Sequence, residues 1–315
     1  VASSGAKGRA PVHANHVFAT SGYAILRSAW DTTEPYTEAR YLVFDAGPVG
    51  AGNHGHFDAL NIEVAAYGRP LIVDPGRYTY HADLNYDWRT HFRSTRSHNT
   101  VTVDGHSQAI YRCEGGRNKL VAPEPQAELV NQRISSRVPY LHGRVSSPNY
   151  SAIHSREIWF PAERYFVIRD QLRSPQSHHY ELCFQLAPWA QSQTILRPVG
   201  GATELSLPGL TMLMLAEFSN VSIEPAWVST RYGDKVAAPR ICISQVGSNA
   251  DFLSIIYPYK SEPPTVEVVS HGGCSTFAFA HENTCDYWSF DADTSQVYGF
   301  SSAGDWHLDL ETNIV

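Results

Sequence analysis

Alternation of apolar and polar side chains along short segments is the feature of this sequence that most limits its fold. Such a period-two pattern is typical of strands with one buried and one solvated face. Glycine, proline, asparagine, aspartate or serine separates the segments, as turns between strands require. The segments are 23–30, 41–47, 99–105, 156–160, 164–170, 180–187, 210–218, 251–259 and 265–270. No long stretch carries the apolar stripe of an amphipathic helix.

The length and the spacing of the turns predict the fold class. With 315 residues the chain can bury a large core. Turns every ~8–12 residues predict an all-β protein, a large two-layer antiparallel β-sandwich. A weakly marked domain boundary lies near residues 232–240, and the predicted strands beyond it are shorter. We therefore predict a β-sandwich over residues 1–235 and a smaller C-terminal β-unit over 236–315, which is either separate from the sandwich or continuous with it.

Charge and hydropathy exclude two classes of partner. The formal net charge is −7, and the sequence has no run of lysine and arginine, whereas phosphate backbones are bound by basic stripes. We therefore expect no nucleic-acid partner. No apolar run reaches the ~18 residues that a membrane-spanning helix needs, so we expect no membrane span.

The cysteines do not predict a dense disulfide framework. There are 5 of them, an odd number at wide spacing, and no CxxC pair that would hold zinc through thiolates. Cys274 and Cys285 flank the strand-like segment STFAFA and either pair with each other or stay thiols. The alternative for all five is a set of buried thiols, which behave as small apolar side chains.

Residues 53–76, NHGHFDALNIEVAAYGRPLIVDPG, place metal-competent side chains at the ends of two apolar runs. His54 and His56 are two residues apart, so on an extended segment both point to the same side. An antiparallel hairpin that turns at 68–70 would return Asp74 to these histidines. His98 opens the strand-like segment NTVTV and is a third histidine beside such a run.

Two histidines and one carboxylate at strand ends are a common ligand set for Zn²⁺ with one open position. The alternative is a group of hydrogen-bonded histidines at the rim of a sheet. A cupin-like metal oxygenase is a further alternative, but the spacing of His54, His56, Glu63 and Gly68 does not match the cupin pattern. Signatures of nucleotide-binding loops, zinc proteases and serine-hydrolase elbows are absent.

Four segments in this order resemble the heparinase II/III-like family of polysaccharide lyases. They are GYAILRSAW (22–30), the 41–80 segment with its HGHFD loop and DPG turn, HFRSTRSHNTVTVDG (91–105), and HSREIWF to RYFVIRD (154–170). The resemblance covers residues 18–190 and implies a two-part enzyme, in which an α/α-toroid precedes a large antiparallel β-sandwich. The toroid is absent from this chain. We therefore expect an N-terminal α/α-toroid domain in cis or on a separate chain.

The resemblance also implies β-elimination at a uronic acid residue of an acidic polysaccharide or oligosaccharide. A base removes the C5 proton, the C4–O bond breaks, and an unsaturated sugar remains. Neutralising the adjacent carboxylate stabilises the enolate-like intermediate, and a tyrosine or histidine moves the protons. In the family the toroid supplies a tyrosine and a carboxylate-neutralising Asn or His, and neither can be assigned in this chain.

The resemblance assigns roles to individual residues of this chain. His54 matches the catalytic histidine that faces the sugar. His56, Asp74 and His98 match the ligands of a Zn²⁺ ion, or of another divalent cation. The ion is expected to hold the loop that presents His54 and not to bind the uronate. Arg77 either binds the substrate carboxylate bidentately or is a solvated turn arginine.

Further expectations concern neighbouring side chains. Tyr80 is expected to stack on or hydrogen-bond to a sugar ring. Arg93 either helps to hold the polyanion or forms a structural ion pair. Asp58 is expected to bond within its own loop and not to bind metal.

The sequence supports two functional interpretations from different classes. In the first, the chain is the metal-binding β-sandwich of a uronate polysaccharide lyase. In the second, it is a non-catalytic carbohydrate-binding or structural β-sandwich domain with a structural metal. An upstream toroid would favour the first. The resemblance further implies a bacterial protein that is periplasmic or secreted.

Overall fold

The computed structural model describes residues 11, 13–30, 36–50, 54–81, 85–114, 117–121, 123–135, 138–215, 220–271, 274–281, 284–291 and 297–301. Strands dominate these residues, and the only α-helix among them is α1 (Trp88–Arg93). No helix in the described part of the chain is long and apolar enough to cross a membrane. Residues 216–218, which end the predicted strand 210–218, lie outside the described residues.

The first sheet has five antiparallel strands that are neighbours in sequence order. They are β1 (His16–Phe18), β2 (Tyr23–Arg27), β3 (Arg40–Asp45), β4 (Asn61–Ala66) and β5 (Arg69–Ile72). β4 and β5 form the predicted hairpin, but its turn lies at Tyr67 and Gly68, with φ values of 53° and 71°. Two left-handed residues give a turn whose twist matches that of the strands. The turn therefore begins one residue earlier than predicted.

The second sheet has ten strands and forms the largest layer. Its central path is β13-β14-β15-β17-β12-β11-β10-β9, with β16 paired to β17 and β6 paired to β12. The strands are β6 (Val101–Val103), β9 (Gln126–Arg133), β10 (Tyr140–Ser146), β11 (Ile153–Trp159), β12 (Phe166–Gln185), β13 (Ile195–Val199), β14 (Ala202–Leu207), β15 (Leu210–Leu215), β16 (Asn220–Arg231) and β17 (Asp234–Pro258). A separate two-stranded ribbon consists of β7 (Tyr111–Glu114) and β8 (Arg117–Leu120).

Strand β12 shows how the alternating sequence makes two apolar faces. Phe166 and Ile168 lie in the core between the two sheets, where Phe44 and Ile62 from the first sheet meet them. Val167 lies in a second core on the opposite face of the large sheet. Successive side chains of a strand point to opposite faces, so one apolar run fills both cores.

A third layer covers part of this opposite face. Its four antiparallel strands are β18 (Thr265–His271), β19 (Cys274–His281), β20 (Thr284–Asp291) and β21 (Val297–Ser301). Phe277 and Trp288 pack in the second core with Trp159 and Tyr165, and the Trp288 indole donates a 2.6 Å hydrogen bond to the Tyr165 hydroxyl. The all-β sandwich is thus confirmed, and the third sheet lies within residues 236–315, for which the sequence predicted a smaller C-terminal β-unit.

The predicted unit boundary falls inside β17, a strand of the large sheet. β17 begins at Asp234 and pairs with β12 from Arg240 to Ile256, whereas the smaller sheet begins with β18 at Thr265. The division of the chain at residue 235 stays a prediction. The predicted pairing of Cys274 with Cys285 also stays open, because the Cys274 side chain lies outside the described residues.

A buried ion pair holds the large sheet to the loops beside the first sheet. Arg156 on β11 is fully buried and lies opposite Asp170 on β12. Its guanidinium donates to Asp170 over 2.6 Å and 3.1 Å, and to the carbonyls of Leu60 and Asn99 over 2.6 Å and 2.5 Å. Burial alone would raise the pKa of Asp170, but Arg156 and His154 hold that pKa below its ordinary value.

Replacing Arg156 should therefore destabilise the fold strongly. In Arg156→Met, the Asp170 carboxylate stays buried without its charged partner and two loop carbonyls lose their donor. We expect a loss of about 3–5 kcal/mol in the free energy of unfolding, measured by urea denaturation. The control is Arg144→Met, which breaks an exposed pair with Glu128 and should cost less than about 1 kcal/mol. Equal losses in the two variants would contradict this account.

Candidate metal centre and the adjoining polar face

His98 is oriented by the backbone that precedes it. A single 3₁₀ turn (Thr95–Ser97) ends at His98, whose Nδ1 lies 2.8 Å from the Ser94 carbonyl oxygen. A carbonyl only accepts hydrogen bonds, so Nδ1 carries the proton and Nε2 keeps a lone pair. The side chain is fully buried. The fold thus presents one imidazole nitrogen in the tautomer that a metal ion requires.

His56 and Asp74 converge on that nitrogen. His56 Nδ1 lies 3.0 Å from His98 Nε2, and Asp74 Oδ2 lies 3.4 Å from it. In a tetrahedral zinc site with bonds near 2.0–2.1 Å, ligand atoms are separated by about 3.3 Å. The two distances bracket this value. The loop and the hairpin therefore bring together the three residues that were predicted to hold a metal, at separations that fit one ion.

Asp58, for which no metal role was predicted, lies in the same group. Its Oδ2 lies 3.9 Å from His98 Nε2, and ligand atoms of His56, Asp58, Asp74 and His98 all lie within 4.8 Å of one another. The signal was present in the sequence, since His54, His56 and Asp58 alternate. Alternate residues of an extended segment share a side.

Burial changes the acid–base properties of this group. Burial, and next the neighbouring His98, lowers the pKa of His56 to about 4, so its imidazole is neutral at pH 7. Burial also raises the pKa of Asp58 to about 6, against the opposing effect of His98. A neutral imidazole binds cations through its lone pair, and a half-buried carboxylate gains from a nearby cation. The donor set therefore suits a divalent metal.

Two side chains, Arg93 and Thr95, hold the backbone of the loop that carries His56. Arg93 is buried, and its Nε and Nη2 donate to the Gly55 carbonyl over 2.9 Å and 2.7 Å. Thr95 Oγ1 donates to the Phe57 carbonyl over 2.7 Å. These contacts fix the backbone on both sides of His56. Arg93 was predicted to contact the polyanion or form an ion pair, and the structure places it behind the loop on a carbonyl.

We call His56, Asp58, Asp74 and His98 the metal-competent group. His54 lies outside it and is exposed to solvent. Its Nδ1 is 2.9 Å from the Tyr80 hydroxyl, and Arg77 Nη1 donates to the same hydroxyl. The Arg77 guanidinium also lies 4.2 Å from the centre of the Tyr80 ring. Because Arg77 donates, the Tyr80 proton is free to point to His54 Nδ1. Three predicted site residues thus form one hydrogen-bonded row beside the metal-competent group.

The tip of the β16–β17 hairpin completes this polar face. Ser229 N donates to the Pro75 carbonyl over 2.7 Å, and Gly233 N donates to the Tyr78 carbonyl over 2.8 Å. Gly76 has a φ of +78°, and a Cβ there would lie 2.2 Å from the Ser229 carbonyl oxygen. The DPG turn therefore needs glycine, because the hairpin approaches it so closely.

The hairpin adds one residue that sequence reasoning missed. Tyr232 is 53% exposed, and its ring centre lies 6.0 Å from that of Tyr80 and 5.3 Å from the Arg77 guanidinium carbon. Nothing in the local sequence distinguishes it from any exposed turn tyrosine. Its place depends on a pairing of segments more than a hundred residues apart.

A cavity of about 450 Å³ opens over the metal-competent group. Its lining combines the histidine loop and Asp74 with the ends of β2, β3 and β4. The lining residues are Ser21, Tyr23, Val43, Asp45, Pro48, Val49, Gly50, His54, Gly55, His56, Asp58, Asn61, Glu63 and Asp74. The acidic side chains outnumber the basic ones here, which suits a cation.

The profile of the heparinase II/III-like C-terminal family matches residues 10–280. The chain belongs to this family. Among curated proteins it is similar to the heparin-sulfate lyase of Pedobacter heparinus, with 23% identity over 282 residues, covering 86% of this chain and 39% of that protein. It is also similar to the heparin-sulfate lyase of Bacteroides stercoris, with 24% identity over 276 residues, covering 83% of this chain and 37% of that protein.

Solved structures support the fold. The heparan sulfate lyase HepC from Pedobacter heparinus superposes with a TM-score of 0.70 at 20% identity, covering 88% of this chain and 42% of that one. A heparinase III structure superposes with a TM-score of 0.65 at 17% identity, covering 96% of this chain and 44% of that one. The chain thus spans about two fifths of the relatives that it matches. At these identities the likeness shows the fold.

The raised pKa of Asp58 makes a prediction for the metal-free protein. Because the folded pKa of about 6 lies above the unfolded value, ionisation of Asp58 costs stability as the pH rises from about 4 to above 6. Asp58→Asn should therefore stabilise the chelator-treated protein by about 2–3 kcal/mol at pH 8 and have little effect at pH 4. Urea denaturation at both pH values measures this. A pH-independent effect would show that the Asp58 charge is not desolvated.

Proposed function

We propose that this chain is the metal-binding β-sandwich part of a lyase that cleaves an acidic, uronate-containing polysaccharide by β-elimination. The observation that carries the proposal is the contrast between His54 and His56. His56 points into the half-buried metal-competent group, whereas His54, two residues earlier, is exposed and hydrogen-bonded to Tyr80. Membership of the heparinase II/III-like family agrees with this arrangement.

In the proposed metal site, His56, Asp74 and His98 hold a Zn²⁺ ion or another divalent cation. Asp58 would be a further candidate ligand. A bound ion would cross-link the histidine loop, the DPG turn and the residues before β6. His56, held in this way, would support the position of His54.

In the proposed reaction, the hydrogen-bonded row of His54, Tyr80 and Arg77 acts on a uronate sugar. Arg77 pairs with the uronate carboxylate and so favours the enolate-like intermediate that follows loss of the C5 proton. His54 and Tyr80 lie within hydrogen-bond reach of each other and relay or position the proton. The C4–O bond then breaks and the leaving oxygen takes up a proton. The partner groups of the reaction come from an α/α-toroid, in cis or on a separate chain.

The proposed substrate class is a heparin-type polysaccharide, because the curated relatives carry the name heparin-sulfate lyase. Arg77, Tyr80 and the exposed Tyr232 offer a cation and two rings to an anionic sugar. We assign Arg93 to supporting the loop, since its guanidinium is directed at Gly55. A periplasmic or secreted location agrees with a polymeric substrate.

A non-catalytic carbohydrate-binding or structural domain with a structural metal is the second candidate. The observation that favours it is the pair of rings, Tyr80 and Tyr232, beside the Arg77 guanidinium, since two rings and a cation can bind an anionic sugar without reacting with it. The two candidates differ in what His54 does. A binding domain would need the metal for folding, but it would not need His54 for an elimination reaction.

The metal proposal makes a prediction for His98. His98→Ala should reduce bound zinc, measured by mass spectrometry of the purified protein, and should lower the melting temperature, since an ion that binds only the folded state stabilises it. Added zinc should restore little of the loss. The control is His106→Ala, because His106 is exposed and lies outside the metal-competent group. Unchanged zinc in His98→Ala would remove His98 from the ligand set.

The lyase proposal makes a prediction for His54 in the full-length protein. His54→Ala should lower cleavage of a heparin-type polysaccharide by roughly 10²-fold or more, the range for a positioned acid–base group. The ultraviolet absorbance of the unsaturated product measures this. Zinc content and melting temperature should not change, because His54 is not a ligand.

The control for His54→Ala is Arg69→Ala. The Arg69 guanidinium lies 3.9 Å from the centre of the Trp189 ring, much as that of Arg77 lies against Tyr80. Arg69 is at the opposite end of the β4–β5 hairpin from Asp74. This variant should keep full activity. Normal cleavage by His54→Ala would favour the binding-domain candidate, and loss of zinc from it would make His54 a ligand.

A further inference from the structure

We infer that Cys183 and Cys242 are a cross-strand thiol pair that closes to a disulfide when the protein folds in an oxidising environment. The two residues lie directly opposite each other on β12 and β17. Their Sγ atoms are 3.3 Å apart. Both side chains are on the face of the large sheet turned away from the main core, since Leu182, Phe184, Ile241 and Ile243 fill that core.

The backbone shows which kind of cross-strand pair this is. Cys183 N donates to the Thr100 carbonyl over 3.1 Å, so the peptide groups of Cys183 are directed to the β6 side and away from β17. Cys183 and Cys242 are therefore a non-hydrogen-bonded pair. In such pairs the Cα atoms are about 4.5 Å apart and the side chains approach most closely. Disulfides accept Cα separations of about 4.4–6.8 Å, so side-chain rotation is sufficient to close the bond.

Glu181 lies beside the two thiols, so the cluster must also be considered as a metal site. Its charge environment disfavours a cation. Arg96 Nε lies 2.6 Å from Glu181 Oε1 and neutralises that carboxylate. Arg240 binds Glu224, which also pairs with Arg96. Two guanidinium groups next to the thiols oppose a divalent ion, and they do not oppose formation of a neutral disulfide.

The timing of oxidation follows from burial. Cys183 is fully buried and Cys242 is 3% exposed, and β16 covers the outer edge of β17 at the Ser222–Cys242 pair. The hydrogen bond between the two thiols, and next burial, raises the pKa of the Cys183 thiol. The reactive thiolate is therefore scarce in the folded protein. Closure therefore takes place during folding, before the sheet is complete, and is slow afterwards.

The chemistry balances with a small disulfide, such as oxidised glutathione, as the oxidant. One cysteine thiolate attacks the oxidant and releases one reduced glutathione, which leaves a mixed disulfide. The second cysteine thiolate attacks the protein sulfur of that mixed disulfide and releases the second glutathione. Two protein thiols are oxidised and one glutathione disulfide is reduced.

The bond would join two strands whose cysteines are 59 residues apart in the sequence. Cross-linking residues this distant restricts the unfolded chain and stabilises the fold. The bond also lies next to Thr100, two residues beyond His98. The inference stands without the proposed lyase activity, because it depends on the sheet register alone.

The test is to refold the purified, denatured protein in a glutathione redox buffer and in excess reductant. After refolding in the redox buffer, a non-reducing peptide map should show a peptide linking Cys183 to Cys242, and the melting temperature should exceed that of the reduced protein. The same buffer added to the already folded protein should give the bond far more slowly. Free thiols at both positions after oxidative refolding would overturn the inference.

Three variants make the assignment specific. Cys183→Ala and Cys242→Ala should each abolish the redox-dependent rise in melting temperature, whereas Cys285→Ala should keep it. The linked peptide in the parent protein is the primary readout, so a variant that folds poorly does not affect the test. Zinc that is lost in Cys183→Ala but kept in His98→Ala would assign the cluster to a metal and would also overturn the inference.

Discussion

The buried guanidinium of Arg156 determines where the candidate site lies relative to the sandwich. It pairs with Asp170 inside the large sheet and donates its remaining hydrogen bonds to the carbonyls of Leu60 and Asn99. Leu60 follows Asp58 by two residues, and Asn99 follows His98. A charge without access to water must satisfy all its donors within the protein. The loops that carry the candidate ligands are consequently held at fixed positions by the core of the large sheet.

Asn99 continues this network into both sheets. Its side-chain nitrogen donates to the carbonyls of Ile62 and Val73, over 2.7 Å and 3.0 Å, and its side-chain oxygen accepts from Gln185 N over 2.6 Å. Val73 immediately precedes Asp74. One buried amide therefore connects the hairpin that carries Asp74 with β12 and with the segment that carries His98. Fully satisfied buried polar groups of this kind define a unique arrangement, which a metal site needs before any ion is bound.

The sequence predicts what depends on short-range spacing, and it does not predict what depends on register between distant segments. Alternation identified several strands, such as β3, β11 and β15, but not β9, β10 or β16. The two-residue spacing predicted one pocket for His54 and His56, and both line the same cavity. The convergence of Asp74 followed from a hairpin. The position of Tyr232 depends on contacts between the β16–β17 hairpin and the distant DPG turn. The position of the third sheet depends on the packing of its side chains against the large sheet, and no local pattern encodes either. The buried role of Arg93 was missed because an arginine is normally placed at the surface.

The two-residue spacing of His54 and His56 also explains how one short loop provides both rigidity and access. His54 belongs to a 3₁₀ turn and His56 lies in the irregular stretch that follows it, so the two side chains have different surroundings. His56 reaches Asp74 and His98, while His54 projects past them to Tyr80 and solvent. An exposed side chain usually loses free energy when substrate orders it. Here the backbone on both sides of His56 is already fixed, and Tyr80, itself bonded to Arg77, limits the rotation of the His54 ring. An exposed histidine held in this way is ordered before a ligand arrives, which is the property that the proposed acid–base role would require.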